Sequence, residues 1–443
     1  MSVVFDRFLF AFTIASHIVL VTMSIALILL IFFLEYRYLT KKEEIIKDLI
    51  KRLKKVFIVS FGIGTASGVV VAVELINLFP GFMTLVSETG VIAIFYAEVF
   101  AFFLETILLM IYVYFDGVFK WKYTNIVLSF FVSVGTITSG ILITMVNAWM
   151  NSPNGFDITS YKDNGIVTGV NPWAPFLTST TIPEELHVII TTIFTGMMII
   201  ASYFVYKYLQ SNNEKEKSAY KYVIKISSWI NIITILLAGI TGSNEISTTL
   251  QQQPLKYAAF ELNTNPGKAL PEILFGTYSN GKVVNGIPIP GLQGFLAQMS
   301  TGDTYLPGLS QYPSSEWPPL YVHLTFDSMV VGGVLLGLLL FMIFIYNLMK
   351  KDFLKNKFIA YLQIIAGPIA LIVYELGWVT DEVGRVPWIV YNVLTIQQAA
   401  NNSSGVYLPG YFIIAFYIVL IPSTFYIFSR IFNAKPIKEV NKP

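Results

Sequence analysis

Seven ionisable residues lie inside stretches that are otherwise apolar: His17, Glu74, Glu98, Glu105, His187, Asp327 and Glu375. Holding such a group in a bilayer costs about 2.5–3.5 kcal/mol even on the lenient insertion scale, so each is a functional candidate by default. Histidine is scarce, with only 3 in the chain (His17, His187 and His323). A single intramembrane imidazole is either a hydrogen-bonded packing residue or a cofactor ligand. Methionine is plentiful at 12, and by default it fills space. In "EVFAFFLE", Glu98 and Glu105 stand seven residues apart, two helical turns, and so share one helix face. Two stacked carboxyls directed into a bundle form a proton path or a cofactor contact; the plainer alternative is interhelical hydrogen bonding. A further pair lies outside the apolar runs. "TTLQQQPLKYAAFEL", residues 248–262, brings Lys256 and Glu261 to a membrane surface in a loop long enough to fold over a ligand.

The elements that must position these groups are membrane helices. Of 443 residues, 55% are hydrophobic and 13% charged, and the mean hydropathy is +0.64, the composition of an all-α polytopic membrane protein. Nine apolar stretches are long enough to span: 8–34, 56–79, 90–115, 125–148, 187–209, 222–241, 320–349, 358–379 and 410–432. They divide the chain into six helices over 1–241, a long loop over 242–318 and three helices over 319–443. The first stretch follows Asp6 and Arg7 and lacks a small-residue cleavage site, which reads as a retained helix. The second contains GIGTASG, a formal glycine fingerprint, but inside an apolar helix and after no strand; close helix packing is the reading that fits.

Basic residues set the orientation. Arg37 to Lys55, Lys120 and Lys122, Lys207 to Lys221, Lys350 to Lys357 and the tail from Arg430 occupy alternate connections, which are therefore cytoplasmic. The N-terminus is then outside, with the loops near 80–90, 150–186, 242–318 and 380–409, and the C-terminus is cytoplasmic. His187 starts a span from the outer side, Met329 lies about ten residues into another, and the 242–318 loop is also outside, so all three converge on one membrane face. The absence of cysteine excludes disulfides, iron–sulfur clusters, Cys-ligated zinc and thioether-linked heme. A net charge of +2 gives no sign of nucleic-acid binding.

Eight stretches occur in the order expected of one family: DRFLFAFTIASHIVLV, GTASGVVVAVE, EVFAFFLET, TSGILITMVNAWMNSPNGF, ELHVIITTIFTGMMI, QQQPLKYAAFE, WPPLYVHLTFDSMVVGG and GWVTDEVGRVPWIVYNVLT. Together they resemble subunit I of the cytochrome bd-type quinol oxidases over nearly the whole chain, with NAWMNSPNGF, QPLKYAAFE and GRVPW the most specific. The resemblance implies a heme-bearing catalytic subunit in the plasma membrane. Such a subunit oxidises membrane quinol at the outer face and reduces oxygen to water with cytoplasmic protons. It implies His187 and Met329 as axial ligands of a low-spin heme b, and His17, with Glu98 beside it, at a high-spin heme b. The oxygen site takes heme d or a further heme b. Glu105 and Ser139 match the inward proton route, and Arg385 and Trp388 of GRVPW complete the catalytic set. Lys256 and Glu261 match the quinol pair. Quinol oxidation releases protons and electrons together, and a carboxylate base beside a polarising cation suits that chemistry. The implied partners are a second membrane subunit, small single-span subunits, quinol, oxygen and the lipid bilayer, with no nucleic acid.

The chain departs from the pattern at several positions. Ala97 stands where a glutamate is common and Glu98 comes one step later, a 100° rotation that a local π-bulge would correct. Asn392 replaces the glutamate expected four residues after Trp388; either Glu375, Asp381 or Glu382 nearby substitutes, or the heme there is five-coordinate through water, or it is absent. Asp327 puts an acid two residues before Met329, which lowers the potential of a neighbouring heme unless it is paired or protonated. Val386 for glutamine is milder. Two other functions remain open: a divergent quinol-oxidising heme b subunit with another electron acceptor, and a transporter using the buried carboxylates, which predicts a colourless protein.

Overall fold

The computed structural model describes residues 2–116, 118–302, 305–401 and 403–433. The lysines of the basic tail lie in 434–443, outside the described residues. In order, the helices are α1 (Ser2–Lys41), α2 (Glu44–Leu78), α3 (Pro80–Glu88), α4 (Ile92–Tyr114), α5 (Thr124–Asn151), α6 (Ile158–Asn164), α7 (Thr181–Gln210), α8 (Glu214–Gln252), α9 (Pro254–Phe260), α10 (Leu292–Thr301), α11 (Val322–Leu348), α12 (Lys357–Gly384), α13 (Ile396–Ala399) and α14 (Tyr407–Asn433). Among the described residues, 9 of these are long and apolar enough to cross a membrane: α1, α2, α4, α5, α7, α8, α11, α12 and α14. They answer one for one to the nine apolar stretches, because a backbone in hydrocarbon must satisfy its hydrogen bonds within the helix.

Helices α1 and α7 form the interior. Their most apolar windows are 61% buried, against 17% for α4 and α14. Leu20, Leu27, Ile28, Leu30, Ile31 and Leu34 of α1 are almost wholly buried. By contrast α4 exposes Phe100, Phe103, Leu104 and Ile107, a face for lipid or another membrane subunit. The glycine run of α2 is helical throughout, and Gly64 and Gly68 face Leu20 and His17 of α1, which is the close packing expected of GIGTASG. Helix α4 is α-helical over its whole length, with no π-segment at Glu98.

The sixth span differs from its apolar stretch. Residues 242–252 are polar and read as loop, yet α8 continues through them to Gln252, and the Gln253 N–H still donates to the Thr249 carbonyl (2.8 Å). Pro254, which has no N–H to give, ends that ladder and starts α9 at its first position. At 39 residues, α8 is about 58 Å long, nearly twice the hydrocarbon thickness, so it carries α9 clear of the bilayer core.

Beyond α9 the loop folds as short antiparallel ribbons: β1 (Gly267–Lys268), β2 (Glu272–Leu274), β3 (Thr277–Ser279), β4 (Lys282–Val284), β5 (Ile287–Ile289) and β6 (Tyr305–Leu306), paired β1–β6, β2–β5 and β3–β4. A second small ribbon, β7 (Trp388–Val390) with β8 (Leu394–Thr395), follows α12. Every residue of α9 from Leu255 to Phe260 is buried, and the Phe260 ring stacks on Phe326 of α11 (4.4 Å between centroids). This apolar seat fixes the loop on the ends of α8, α11 and α12.

Candidate functional site

The three most specific stretches meet in one network. Lys256 of α9, 3% exposed, is ion-paired with Asp381 of α12. The Asp381 carboxylate also accepts from the side-chain amides of Asn147 (2.7 Å) and Asn151 (3.3 Å) on α5. Arg385 donates to the side-chain oxygens of the same two asparagines (2.8 and 2.7 Å) and to Glu382 (2.6 Å). Asn151 donates to Glu184 of α7 (3.0 Å), and the Gln253 side chain donates to the Asn151 carbonyl (3.0 Å). Charges removed from water persist only when paired and hydrogen-bonded; here Lys256 pairs with Asp381 and Arg385 with Glu382, while Arg385 Nε and Glu184 Oε1 are buried without a partner among the described residues. Gly384 packs on the Lys256 stem, where an added Cβ would come within 2.9 Å of Cγ. Trp388, half-buried in β7, donates its backbone N–H to Arg385 (2.9 Å).

Glu261 turns to different neighbours. The residue is 5% exposed, its carboxyl lies in hydrogen-bond reach of Glu272 on β2, and Gln293 of α10 abuts it. Burial first, then the Glu272 and Asp327 carboxyls, hold Glu261 well above the ordinary carboxylate range. Burial pushes Glu272 up to about 7. Lys256 and Glu261, five residues apart on one short helix, therefore belong to two clusters: the cation faces α12 and α5, and the acid faces the loop ribbons and α11.

Asp327 has a backbone partner and an imidazole beside it. It accepts the backbone N–H of Phe275 and lies 3.3 Å from His323 Nε2. His323, fully buried, sits 2.7 Å from the Phe260 carbonyl through Nδ1 and receives the Gly276 N–H at Nε2 (3.2 Å). The ring ties α11, α9 and the β2–β3 turn together. Phe275 holds φ 55 and Leu262 φ 56, a left-handed conformation costing about 1–2 kcal/mol for a residue with a side chain. The Phe275 contact with Asp327 offsets it at one of the two.

Each of the three candidate iron ligands is backed by a glycine. An added Cβ at Gly242 of α8 would meet His187 Cε1 at 3.2 Å, one at Gly377 of α12 would meet Met329 Sδ at 3.0 Å, and one at Gly68 would meet His17 Cε1 at 3.3 Å. His187 Nδ1 pairs with the Thr241 hydroxyl (3.1 Å) and Nε2 has no hydrogen bond among the described residues, the arrangement in which a neighbouring group orients a ligating imidazole. His17 Nδ1 is buried without a hydrogen-bond partner among the described residues. All three side chains are half-buried although they sit on bundle-lining helices. An oriented imidazole, a thioether and small residues that leave room around both fit a heme better than they fit a filled core.

Glu98 and Glu105 do share a face of α4, and both turn toward α5. Ser139 donates to Glu98 (2.9 Å) and Thr136 to Glu105, with Gly135 allowing the close approach. Seven residues further on, Tyr112 continues the face and donates to Glu35 of α1 (2.8 Å). Lys54 of α2 lies 3.1 Å from Glu35, 3.4 Å from Asp116 and 3.8 Å above the Tyr112 ring. A cleft of about 170 Å³ opens there beside Glu35, Trp121 and Asn125. Sequence reasoning missed Tyr112, Glu35, Lys54, Thr136 and Asp116. The seven-residue repeat from Glu98 through Glu105 to Tyr112 was the available signal. It also missed Glu184 and Glu185, which sit beside the start of a span; Thr144 donates to both Glu185 oxygens (2.7 and 2.6 Å).

Asn392 lies on the surface, in the β7–β8 turn at φ 55, and accepts from Lys162 (3.0 Å). Of the nearby acids, Asp381 and Glu382 are committed to Lys256 and Arg385. Glu375 keeps a buried Oε1 without a partner among the described residues. Glu74 accepts from Thr13 (3.1 Å). A second cleft, about 450 Å³, lies where α8 meets α9, lined by Leu250, Gln251, Pro254, Tyr305, Gln311 and Tyr312.

Residues 5–436 match the family model described as "Cytochrome bd terminal oxidase subunit I". The putative cytochrome bd menaquinol oxidase subunit I of Bacillus subtilis (strain 168) is 32% identical over 444 residues, 98% of each protein. The cytochrome bd-II ubiquinol oxidase subunit 1 of Escherichia coli (strain K12) is 22% identical over 474 residues, 89% of this chain and 88% of that protein. Among solved structures, the bd oxidase from Geobacillus thermodenitrificans superposes with a TM-score of 0.90 at 27% identity, covering 98% of this chain and 99% of that one.

Proposed function

Since the chain belongs to the cytochrome bd terminal oxidase subunit I family, we propose that it oxidises membrane quinol at the α9 end of the bundle and delivers the electrons to oxygen, with protons drawn from the opposite side. The observation that carries this reading is the convergence of NAWMNSPNGF, QPLKYAAFE and GRVPW in one buried network at the end that holds His187 and Met329. His187 and Met329 would hold a low-spin heme b, and His17, with Glu98 nearby, a high-spin heme of b or d type. These groups supply one-electron transfer and the oxygen-binding iron.

The protein's own residues do the rest. Glu261 accepts a quinol proton; the Lys256–Asp381 pair and Arg385 fix the floor on which the ring oxygens lie. The cleft at Gln251, Pro254 and Tyr312 gives quinol a way in from the membrane surface. On the other side, Asp116, Lys54, Glu35 and Tyr112 form an inlet that leads to Glu105, Thr136, Ser139 and Glu98. Orientation follows the basic residues: the α1–α2, α7–α8 and α11–α12 connections hold them at the end away from α9, which is then cytoplasmic, with the N-terminus outside. Quinol protons leave outside while those consumed enter from within, so charge is separated without a pump. The apolar face of α4 and its like suits a second membrane subunit, and small single-span subunits fit the same kind of surface.

Reduced-minus-oxidised spectra of the purified complex, with quinol-driven oxygen consumption, test the reading. Low-spin b bands, a high-spin or chlorin-type band and oxygen uptake with menaquinol support it. A b band without oxygen uptake favours another acceptor, and a colourless protein sinks it in favour of transport.

A further inference from the structure

We propose that Glu272 is the relay that takes the quinol proton from Glu261 and passes it to the water outside. This rests on the quinol-oxidising reading above and adds to it the residue that clears the base for its next turn. Glu261 cannot discharge directly: it is 5% exposed, and α9 is closed over it by the left-handed turn at Leu262, the Asn263 N–H to the Ala258 carbonyl (2.9 Å) and the Leu309 N–H to the Asn263 carbonyl (2.8 Å). Its Oε2 is buried and has no hydrogen-bond partner among the described residues. The nearest basic side chain in sequence, Lys256, is committed to Asp381.

Two carboxyls face Glu261. Asp327 leads inward, since it is 2% exposed and held by the Phe275 N–H and by His323, itself fully buried. Glu272 leads outward. It opens β2 opposite Ile289 of β5, and at 9% it is the most exposed member of a cluster in which Tyr257 is 2% and Gln293 1% exposed. Two touching carboxyls do not both stay ionised in such a place, so the pair holds one proton between them. When a quinol O–H gives its proton to Glu261, the proton already held leaves through Glu272. The second O–H proton follows by the same route once Glu272 has discharged, and with both protons gone and two electrons passed to the enzyme's own electron path the ring becomes quinone. Glu272 does not touch quinol; it acts through Glu261. The groups that face it are Glu261 from α9 and Asp327 from α11, with Tyr257 behind them and His323 beyond Asp327.

The test is E272Q in the purified, heme-loaded complex, with E272D beside it. E272Q should lower kcat for quinol by about 10- to 100-fold, in the range one acid–base group contributes, with KM little changed. The heme spectra and the oxidation of chemically reduced complex by oxygen should be unaffected. Wild-type turnover should rise with pH through about 7, as Glu272 becomes free to accept, whereas E272Q should be flat there; E272D should restore both rate and slope. Wild-type rate and pH profile in E272Q overturn the proposal. If E272Q fails to assemble, redox-induced infrared difference spectra of wild type and E272D decide: a carboxylic-acid band that E272D shifts supports the relay, and an unchanged band overturns it. Wild-type complex that carries hemes but does not oxidise quinol overturns the reading of the previous subsection instead.

Discussion

Lys256 of α9 and Asp381 of α12 form a buried ion pair that joins the loop helix to the membrane bundle. Its two halves are not equivalent. Without Lys256, Asp381 still has Arg385 at 4.0 Å and the amides of Asn147 and Asn151. Without the Asp381 charge, Lys256 loses its ion pair and stays buried, whereas Arg385 keeps Glu382 and the two asparagine oxygens. Breaking a buried pair from one side costs about 3–5 kcal/mol, while replacing both partners is close to neutral. D381N should therefore lower the thermal unfolding midpoint more than K256M, and K256M/D381N should recover part of the loss. A double variant that simply sums the two losses would show that the charges do not interact.

The glycines behind the candidate ligands give a spectroscopic prediction. G242A pushes a methyl group to 3.2 Å from the His187 ring and G377A one to 3.0 Å from Met329 Sδ. Both should weaken or shift the low-spin heme b band while leaving high-spin bands in place, and H187A should abolish the low-spin band outright. Gly239 of α8 and Gly333 of α11 meet nothing within 4 Å of an added Cβ, so G239A and G333A are the controls. Equal spectra in all four glycine variants would remove the case for a heme between these helices.

How far these features were legible in the sequence varies with the physics behind each. All nine spans could be read because hydrocarbon tolerates only long apolar helices. The common face of Glu98 and Glu105 could be read because helical periodicity is fixed. The extension of α8 to Gln252 could not, since its polar residues carry no apolar signal once the helix leaves the bilayer. The separation of Lys256 from Glu261 depends on where α5, α12 and β2 return in space, which local spacing does not encode. Glu272 was invisible for the same reason: in sequence it is one acid in a polar loop, and only the fold of the ribbons brings it to Glu261.

On the opposite side, the column from Asp116 to Glu98 predicts separable effects on the two half-reactions. On the proposed inward path, E105Q takes away the carboxyl in the middle and should slow oxygen reduction by about 100-fold. Y112F removes the hydrogen bond to Glu35 and should slow it severalfold. In both, quinol should still reduce the hemes at the wild-type rate in the first turnover, because the α9 end is untouched. Stopped-flow heme reduction by quinol, followed by reoxidation with oxygen, measures the two steps apart. Slowing of the first step as much as the second would take these residues off the inward path.

The proposed role of Glu261 as quinol base predicts a pH dependence of quinol oxidation. A base must be ionised to accept a proton, and burial, followed by the Glu272 and Asp327 carboxyls, favours the protonated form of Glu261. Raising the pH frees the acid pair, so turnover should increase from acid through neutral pH, whereas a base held at the ordinary carboxylate value would give a flat profile above about pH 5. E261A should lose this slope and slow quinol oxidation, yet leave reoxidation of reduced hemes by oxygen at the wild-type rate. Steady-state oxygen uptake with menaquinol from pH 5 to 9, set against single-turnover reoxidation, separates the outcomes. Equal losses in both measurements would mean that Glu261 supports the fold and not the proton.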